Sequence, residues 1–206
     1  MKNSLPLPLI AILRGIRPAD IDGHLQALTL AGFTLIEIPL NSPGWEQSIA
    51  LAVERFGDRA KIGAGTVLTV AQVNRLAALG CQLIVTPNTA PPVIRRALAL
   101  GMTVYAGCAT ATEAFQAIDA GATRLKIFPS STFGPEYISA LGAVMPAGID
   151  LYAVGGVTPE NLDSYLRAGC AGVGLGGALY QAGQTVEETA KRAAAFANRC
   201  RELLKN

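Results

Sequence analysis

The sequence has one histidine, His24, and four cysteines, Cys81, Cys108, Cys170 and Cys200, with no C-x-x-C pair among them. A histidine-based metal site or a Ser-His-Asp triad therefore has almost no material. The cysteine spacing carries no disulfide or zinc pattern and reads as reduced thiols in a cytoplasmic protein. Charge is sparse and balanced, with 17 basic and 15 acidic residues and a formal net charge of +2. No basic excess or basic run points to nucleic acid. No apolar run approaches the roughly 20 residues that a bilayer requires, so no membrane partner is expected. The apolar stretch Leu5-Pro6-Leu7-Pro8-Leu9-Ile10-Ala11-Ile12-Leu13 is short, broken by prolines and closed by Arg14. It lacks the basic start and small-residue cleavage site of a secretory signal.

What the chain does have is a repeat. A small residue or leucine followed by glycine closes a helical stretch, and an apolar strand follows. The pairs are Ala31-Gly32, Leu79-Gly80, Leu100-Gly101, Ala120-Gly121 and Ala168-Gly169, with Phe56-Gly57 filling a longer gap. That period is one helix plus one strand with short loops. Helix starts are marked by Ser42-Pro43 and Thr158-Pro159, read as a capping hydroxyl before proline. Thr69-x-x-Gln72 and Thr110-x-x-Glu113 have the capping-box pattern. The spacing predicts strands near 9–13, 35–39, 60–65, 82–86, 103–107, 124–128, 150–154 and 171–175, with a last helix over 185–203. Eight near-continuous apolar strands alternating with eight helices predict a single (β/α)8 TIM barrel over residues 1–206. A doubly wound open sheet is the alternative, but the first βα turn, Arg14-Gly15-Ile16-Arg17-Pro18, is not G-x-G-x-x-G.

A barrel concentrates its chemistry where strands end at their C-terminal mouth. Of five lysines, Lys2 and Lys205 are terminal, Lys191 lies in the last helix and Lys61 opens a strand at the opposite mouth. Lys126 alone lies inside a strand. Strand parity turns Arg124, Lys126 and Phe128 to one face and Leu125 and Ile127 to the other. Burial favours the neutral amine, the form that attacks a ketone. A lysine paired with a carboxylate, or snorkelling at a strand end, is the plainer alternative. Among acids, only Glu37 sits within an apolar strand, with Leu35 and Pro39 on its face. Arg14 follows the first strand and Thr66 the third. Glu37, Lys126 and Arg14 can thus converge in the lumen, as catalytic groups or as a structural ion pair. The loops after strands seven and eight carry Gly155-Gly156 and Gly176-Gly177, where barrels commonly hold phosphate. Ordinary tight turns would also use glycine there. An amine, a buried carboxylate and a phosphate cradle without metal ligands suggest Schiff-base chemistry on a phosphorylated keto compound.

Several segments go further. Ile12-Leu13-Arg14-Gly15, Ile36-Glu37-Ile38-Pro39-Leu40-Asn41-Ser42, Gly63-Ala64-Gly65-Thr66-Val67 and Ile84-Val85-Thr86-Pro87-Asn88 form the first half of a pattern. Gly107-Cys108-Ala109-Thr110, Leu125-Lys126-Ile127-Phe128-Pro129-Ser130-Ser131 and Val154-Gly155-Gly156-Val157 complete it. Over almost its whole length the chain resembles the class I aldolases of the 2-keto-3-deoxy-6-phosphogluconate/4-hydroxy-2-oxoglutarate family. Gluconate-cleaving members carry a Thr-Leu-Arg type segment in place of Pro39-Leu40-Asn41 and a second phenylalanine in place of Ile127. The resemblance therefore points to the branch acting on the galactonate epimer. It implies that Lys126 forms the Schiff base, Glu37 moves protons, Arg14 and Thr66 hold the pyruvate-end carboxylate, and Gly155, Gly156, Gly176 and Gly177 hold phosphate. It implies a phosphorylated keto-deoxy sugar acid and pyruvate as ligands, no cofactor, and a homo-oligomer, a trimer. That branch carries serine where this chain has Gly177, which removes a hydroxyl contact. A phosphosugar isomerase or epimerase on the same barrel, or an inactive phosphate-binding protein, are the competing classes.

Overall fold

The structure, a computed structural model, describes residues 6–204. Eight parallel strands close into a barrel in sequence order. They are β1 (Leu9–Ile12), β2 (Leu35–Pro39), β3 (Lys61–Gly65), β4 (Leu83–Val85), β5 (Thr103–Cys108), β6 (Arg124–Ile127), β7 (Asp150–Val154) and β8 (Cys170–Leu175). Between and after them run α1 (Ile21–Ala31), α2 (Trp45–Phe56), α3 (Val70–Ala78), α4 (Pro91–Ala99), α5 (Ala111–Asp119), α6 (Ser130–Gly142), α7 (Leu162–Arg167) and α8 (Val186–Leu203). The predicted TIM barrel is the observed fold.

The punctuation read from the sequence works in most places. Gly32, Gly80, Gly101, Gly121 and Gly169 all have left-handed φ values between +74° and +102°, the conformation that ends a helix at low cost to glycine. Thr69 with Gln72, and Thr110 with Glu113, form complete reciprocal capping boxes. Thr185 caps α8 by accepting from the Glu188 N–H. Three expectations differ. Gly57 is right-handed (φ −63°), continuing the helical turn rather than reversing it. Ser42 does not cap α2, because its hydroxyl accepts from the Gly15 N–H at 2.9 Å and the helix starts only after a left-handed Gly44. Thr158 does not cap α7 either: Asn161 lies just before that helix, and its side chain accepts from the Thr158 N–H.

Strand parity divides the core into two layers. Ile36, Ile38, Leu125 and Ile127 face outward and pack under the helices. Ile10, Leu83, Val85, Tyr105 and Tyr152 fill the lumen, with Leu35 packed against them. Each fully buried Ile or Leu is worth about 1.5–3 kcal/mol relative to exposure, so both layers hold the strand register firmly. The lumen plug lies below Glu37 and Lys126, which come two residues later than Leu35 and Arg124 on β2 and β6 and so lie nearer the C-terminal mouth.

Candidate active site

Lys126 is the third residue of β6, flanked in register by Gly107 on β5 and Tyr152 on β7. Gly107 is required by close packing: a Cβ there would lie 2.4 Å from the Pro87 carbonyl carbon, in the loop after β4. Lys126 is only 6% exposed. Burial lowers its pKa; the charge of Glu37 opposes that effect and the Arg14 guanidinium adds to it. Its Nζ sits 5.0 Å from the centroid of the Phe128 ring, two residues along the same strand face.

Glu37 is 1% exposed, and its Oε2 is buried without a hydrogen-bond partner. The carboxylate lies against bare β3 backbone, since a Cβ on Gly65 would fall 1.4 Å from Oε2. Burial raises the Glu37 pKa to about 7, against the opposing pull of Lys126 and then Arg14. A carboxyl group titrating there can give or take a proton at neutral pH. Among the described residues Glu37 forms no ion pair with Lys126 or Arg14. The closed ion pair considered from the sequence is therefore not what this carboxylate makes.

Arg14 projects at the mouth after β1, and its Nη1 donates to Asn41 Oδ1 at 2.6 Å. With the Gly15–Ser42 hydrogen bond, this ties the loops after β1 and β2 together. Thr66, just past β3, has φ +58° and is the only non-glycine with a positive φ among the described residues. A β-branched residue held left-handed is strained by roughly 1–3 kcal/mol, an arrangement that clusters at functional sites.

A cleft of about 480 Å³ opens at this mouth, lined by Arg14, Lys126, Phe128 and the two glycine loops, Gly155–Thr158 and Gly176–Ala178. The structure thus brings Arg14, Lys126, Gly155, Gly156, Gly176 and Gly177 onto one surface. Glu37 and Thr66 are not part of that wall. A larger cavity, about 670 Å³, opens at the opposite mouth beside Lys61, Tyr105, Arg124 and Tyr152. None of the candidate groups reaches it, so chemistry rather than volume selects the smaller cleft.

The two glycine loops differ. Gly155 and Gly156 are left-handed (φ +103° and +73°), and a Cβ on Gly156 would lie 2.6 Å from Ser131 Cβ. A side chain at Gly156 would therefore distort the loop before it obstructed any ligand. At Gly176 and Gly177 an added Cβ would meet nothing within 4 Å. Ser130, quoted in the sequence pattern without a role, is a buried link in this region. Its hydroxyl donates to the Ile127 carbonyl (2.7 Å) and accepts from the Val154 N–H (2.9 Å). The Ser131 N–H donates to the Gly155 carbonyl at 3.1 Å. The strand bearing Lys126 and the first glycine loop are thereby bound as one unit. Sequence reasoning also missed Ile12 and Val154 as walls of the cleft, although parity with Ile10 and Tyr152 turns both inward.

A family profile described as KDPG and KHG aldolase matches residues 2–195. The chain belongs to this aldolase family. Membership makes it a lyase. It is 63% identical over 204 residues to the 2-dehydro-3-deoxy-6-phosphogalactonate aldolase of Escherichia coli (strain K12), covering 99% of this chain and 100% of that one. The solved structure of native KDPGal superposes with a TM-score of 0.96 at 61% identity, covering all of both chains. A cube-shaped, highly porous protein cage designed by fusing symmetric oligomeric domains matches with a TM-score of 0.96 at 63% identity, over 97% of this chain and 74% of that one. Among the described residues no helix of this aldolase is long and apolar enough to cross a membrane.

Proposed function

We propose that this aldolase cleaves 2-dehydro-3-deoxy-6-phosphogalactonate to pyruvate and glyceraldehyde 3-phosphate through a Schiff base on Lys126, as a step of galactonate catabolism. The observation that carries the reading is one desolvated amine on the wall of the C-terminal cleft, electrostatically coupled to a fully buried carboxyl group with a pKa of about 7. The 63% identity to a galactonate-branch enzyme supports this epimer over the gluconate one.

The chemistry follows from those two groups. The neutral Lys126 amine adds to the C2 ketone, and the carbinolamine loses water to give an iminium. Glu37, directly or through a water, takes the proton of the C4 hydroxyl. The C3–C4 bond breaks, its electron pair moves into the iminium to form an enamine, and glyceraldehyde 3-phosphate leaves. Glu37 returns the proton to C3, and hydrolysis of the pyruvate iminium frees Lys126. The iminium is itself the electron sink, so the step asks nothing of a metal or cofactor.

Arg14, held by Asn41, pairs with the pyruvate-end carboxylate, and the family resemblance makes Thr66, strained just past β3, its second partner. Gly155, Gly156, Gly176 and Gly177 form the phosphate end of the cleft. The protein works as a homotrimer in the cytoplasm, a proposal that the kinship with a symmetric oligomeric building block supports; light scattering that returned a monomer would reject it. A pyruvate-release assay on the two C4 epimers tests substrate choice. Faster turnover of the galactonate epimer is expected, and equal or reversed rates would favour the gluconate reading.

A further inference from the structure

The two loops at the phosphate end share a feature that no glycine pattern predicts. In the first, the Gly156 carbonyl accepts from Asn161 Nδ2 at 2.9 Å, while Asn161 Oδ1 accepts from the Thr158 N–H at 2.8 Å. That pair of contacts fixes the amide orientation, since a flipped amide would set donor against donor. In the second, the Gly177 carbonyl accepts from both Gln181 Nε2 and Arg192 Nη1, each at 3.2 Å. Arg192 is held in turn by Glu188, one turn earlier on α8, at 2.7 Å.

A trans peptide points its C=O and its N–H in opposite directions. Drawing the Gly156 oxygen toward Asn161 turns the Val157 N–H the other way. Drawing the Gly177 oxygen toward Gln181 and Arg192 does the same for the Ala178 N–H. Val157 and Ala178 both line the cleft, whereas Asn161, Gln181 and Arg192 do not. Among the described residues neither the Val157 nor the Ala178 N–H has a protein acceptor. The same arrangement thus recurs on two loops: a side chain outside the cleft wall holds the carbonyl, and the residue that follows lines the cleft with an N–H that no group among the described residues accepts.

We propose that Asn161, Gln181 and Arg192 are positioning residues that fix the anion-binding geometry of the cleft, and so set its preference for a phosphorylated substrate. Held donors bind an anion without reorganising, which is where such a site gains affinity. Arg192 adds a positive charge behind a loop whose residue 177 has no side chain to offer. This rests on the functional reading only in naming the anion as the substrate's phosphate.

The test compares Asn161→Ala, Gln181→Ala/Arg192→Ala and the triple variant with the parent protein. Three quantities are measured: the dissociation constant for inorganic phosphate, the KM for the phosphorylated substrate, and the rate of exchange of pyruvate's methyl protons. Each brace should weaken phosphate binding and raise KM about 3- to 10-fold, the range of a single hydrogen bond's net worth. Exchange takes place at the other end of the cleft and should stay within about twofold, which also reports an intact barrel. Arg192→Lys, in place of Arg192→Ala, should recover part of the loss, because it keeps a charged donor. Unchanged phosphate affinity in the triple variant overturns the proposal. So does a parallel fall in exchange, which would mean general loosening of the barrel. A parent protein that releases no pyruvate would refute the enzymatic reading, and the phosphate titration would still decide this one.

Discussion

Replacing Glu37 by glutamine should make the protein more stable and much slower, and both effects follow from the same burial. The carboxyl group is 1% exposed with one oxygen unpartnered, and its pKa stands at about 7 against an ordinary 4.5. An acid whose folded pKa is raised loses its proton in the unfolded chain first, so its burden on the fold is absent below about pH 4.5 and grows until pH passes about 7. At roughly 1.4 kcal/mol per unit the full burden is about 3 kcal/mol, of which about a quarter is present by pH 5 and nearly all by pH 8. Glutamine keeps the shape and carries no titrating proton. Thermal melts of the two proteins should lie within about 3 °C of each other at pH 5. At pH 8 the variant should melt about 6–12 °C higher, at the ~2–4 °C per kcal/mol of a domain this size. Its turnover should fall at least about 100-fold, the ordinary worth of a placed acid–base group. A melting difference that does not change with pH would refute the burial argument, and near-parental turnover would refute the proton-transfer role.

Three further substitutions probe the surroundings. Gly65→Ala places a Cβ where Glu37 Oε2 now lies, so it should displace the carboxylate and cost activity on the scale of Glu37→Gln; parental activity would mean that this position of the carboxylate is not the working one. Gly177→Ser meets open space and adds a hydroxyl worth roughly 0.5–1.5 kcal/mol, so the KM for the phosphorylated substrate should fall a few-fold, and an unchanged value would place the phosphate elsewhere. Asn41→Ala releases the Arg14 guanidinium, so the pyruvate concentration needed for half-maximal methyl-proton exchange should rise several-fold, with little change in the KM attributable to phosphate. Equal losses at both ends of the substrate would sink that assignment.

The barrel was legible because its signals are local. Five left-handed glycines and two capping boxes close and open helices where their own neighbours dictate. Parity alone turned Glu37 and Lys126 into the lumen, as observed. The failures came where a local signal was claimed by a distant partner. Ser42 spends its hydroxyl on the Gly15 N–H, 27 residues away, and so caps nothing. Arg14 meets Asn41 across the same separation, and Arg192 reaches back 15 residues to Gly177. The family pattern points to Thr66, but nothing in its own chemistry announces a left-handed backbone, which β-branched residues seldom adopt. Gly156 reads from the sequence as room for an anion, whereas its own backbone angle and the nearby Ser131 already require glycine.

The covalent role of Lys126 is tested most directly by reducing the protein with borohydride in the presence of pyruvate and mapping the adduct by mass spectrometry. One pyruvate-derived mass on the peptide containing Lys126, absent from Lys126→Arg, is the predicted result. An adduct on Lys61, or none at all in a protein that still releases pyruvate, would contradict it.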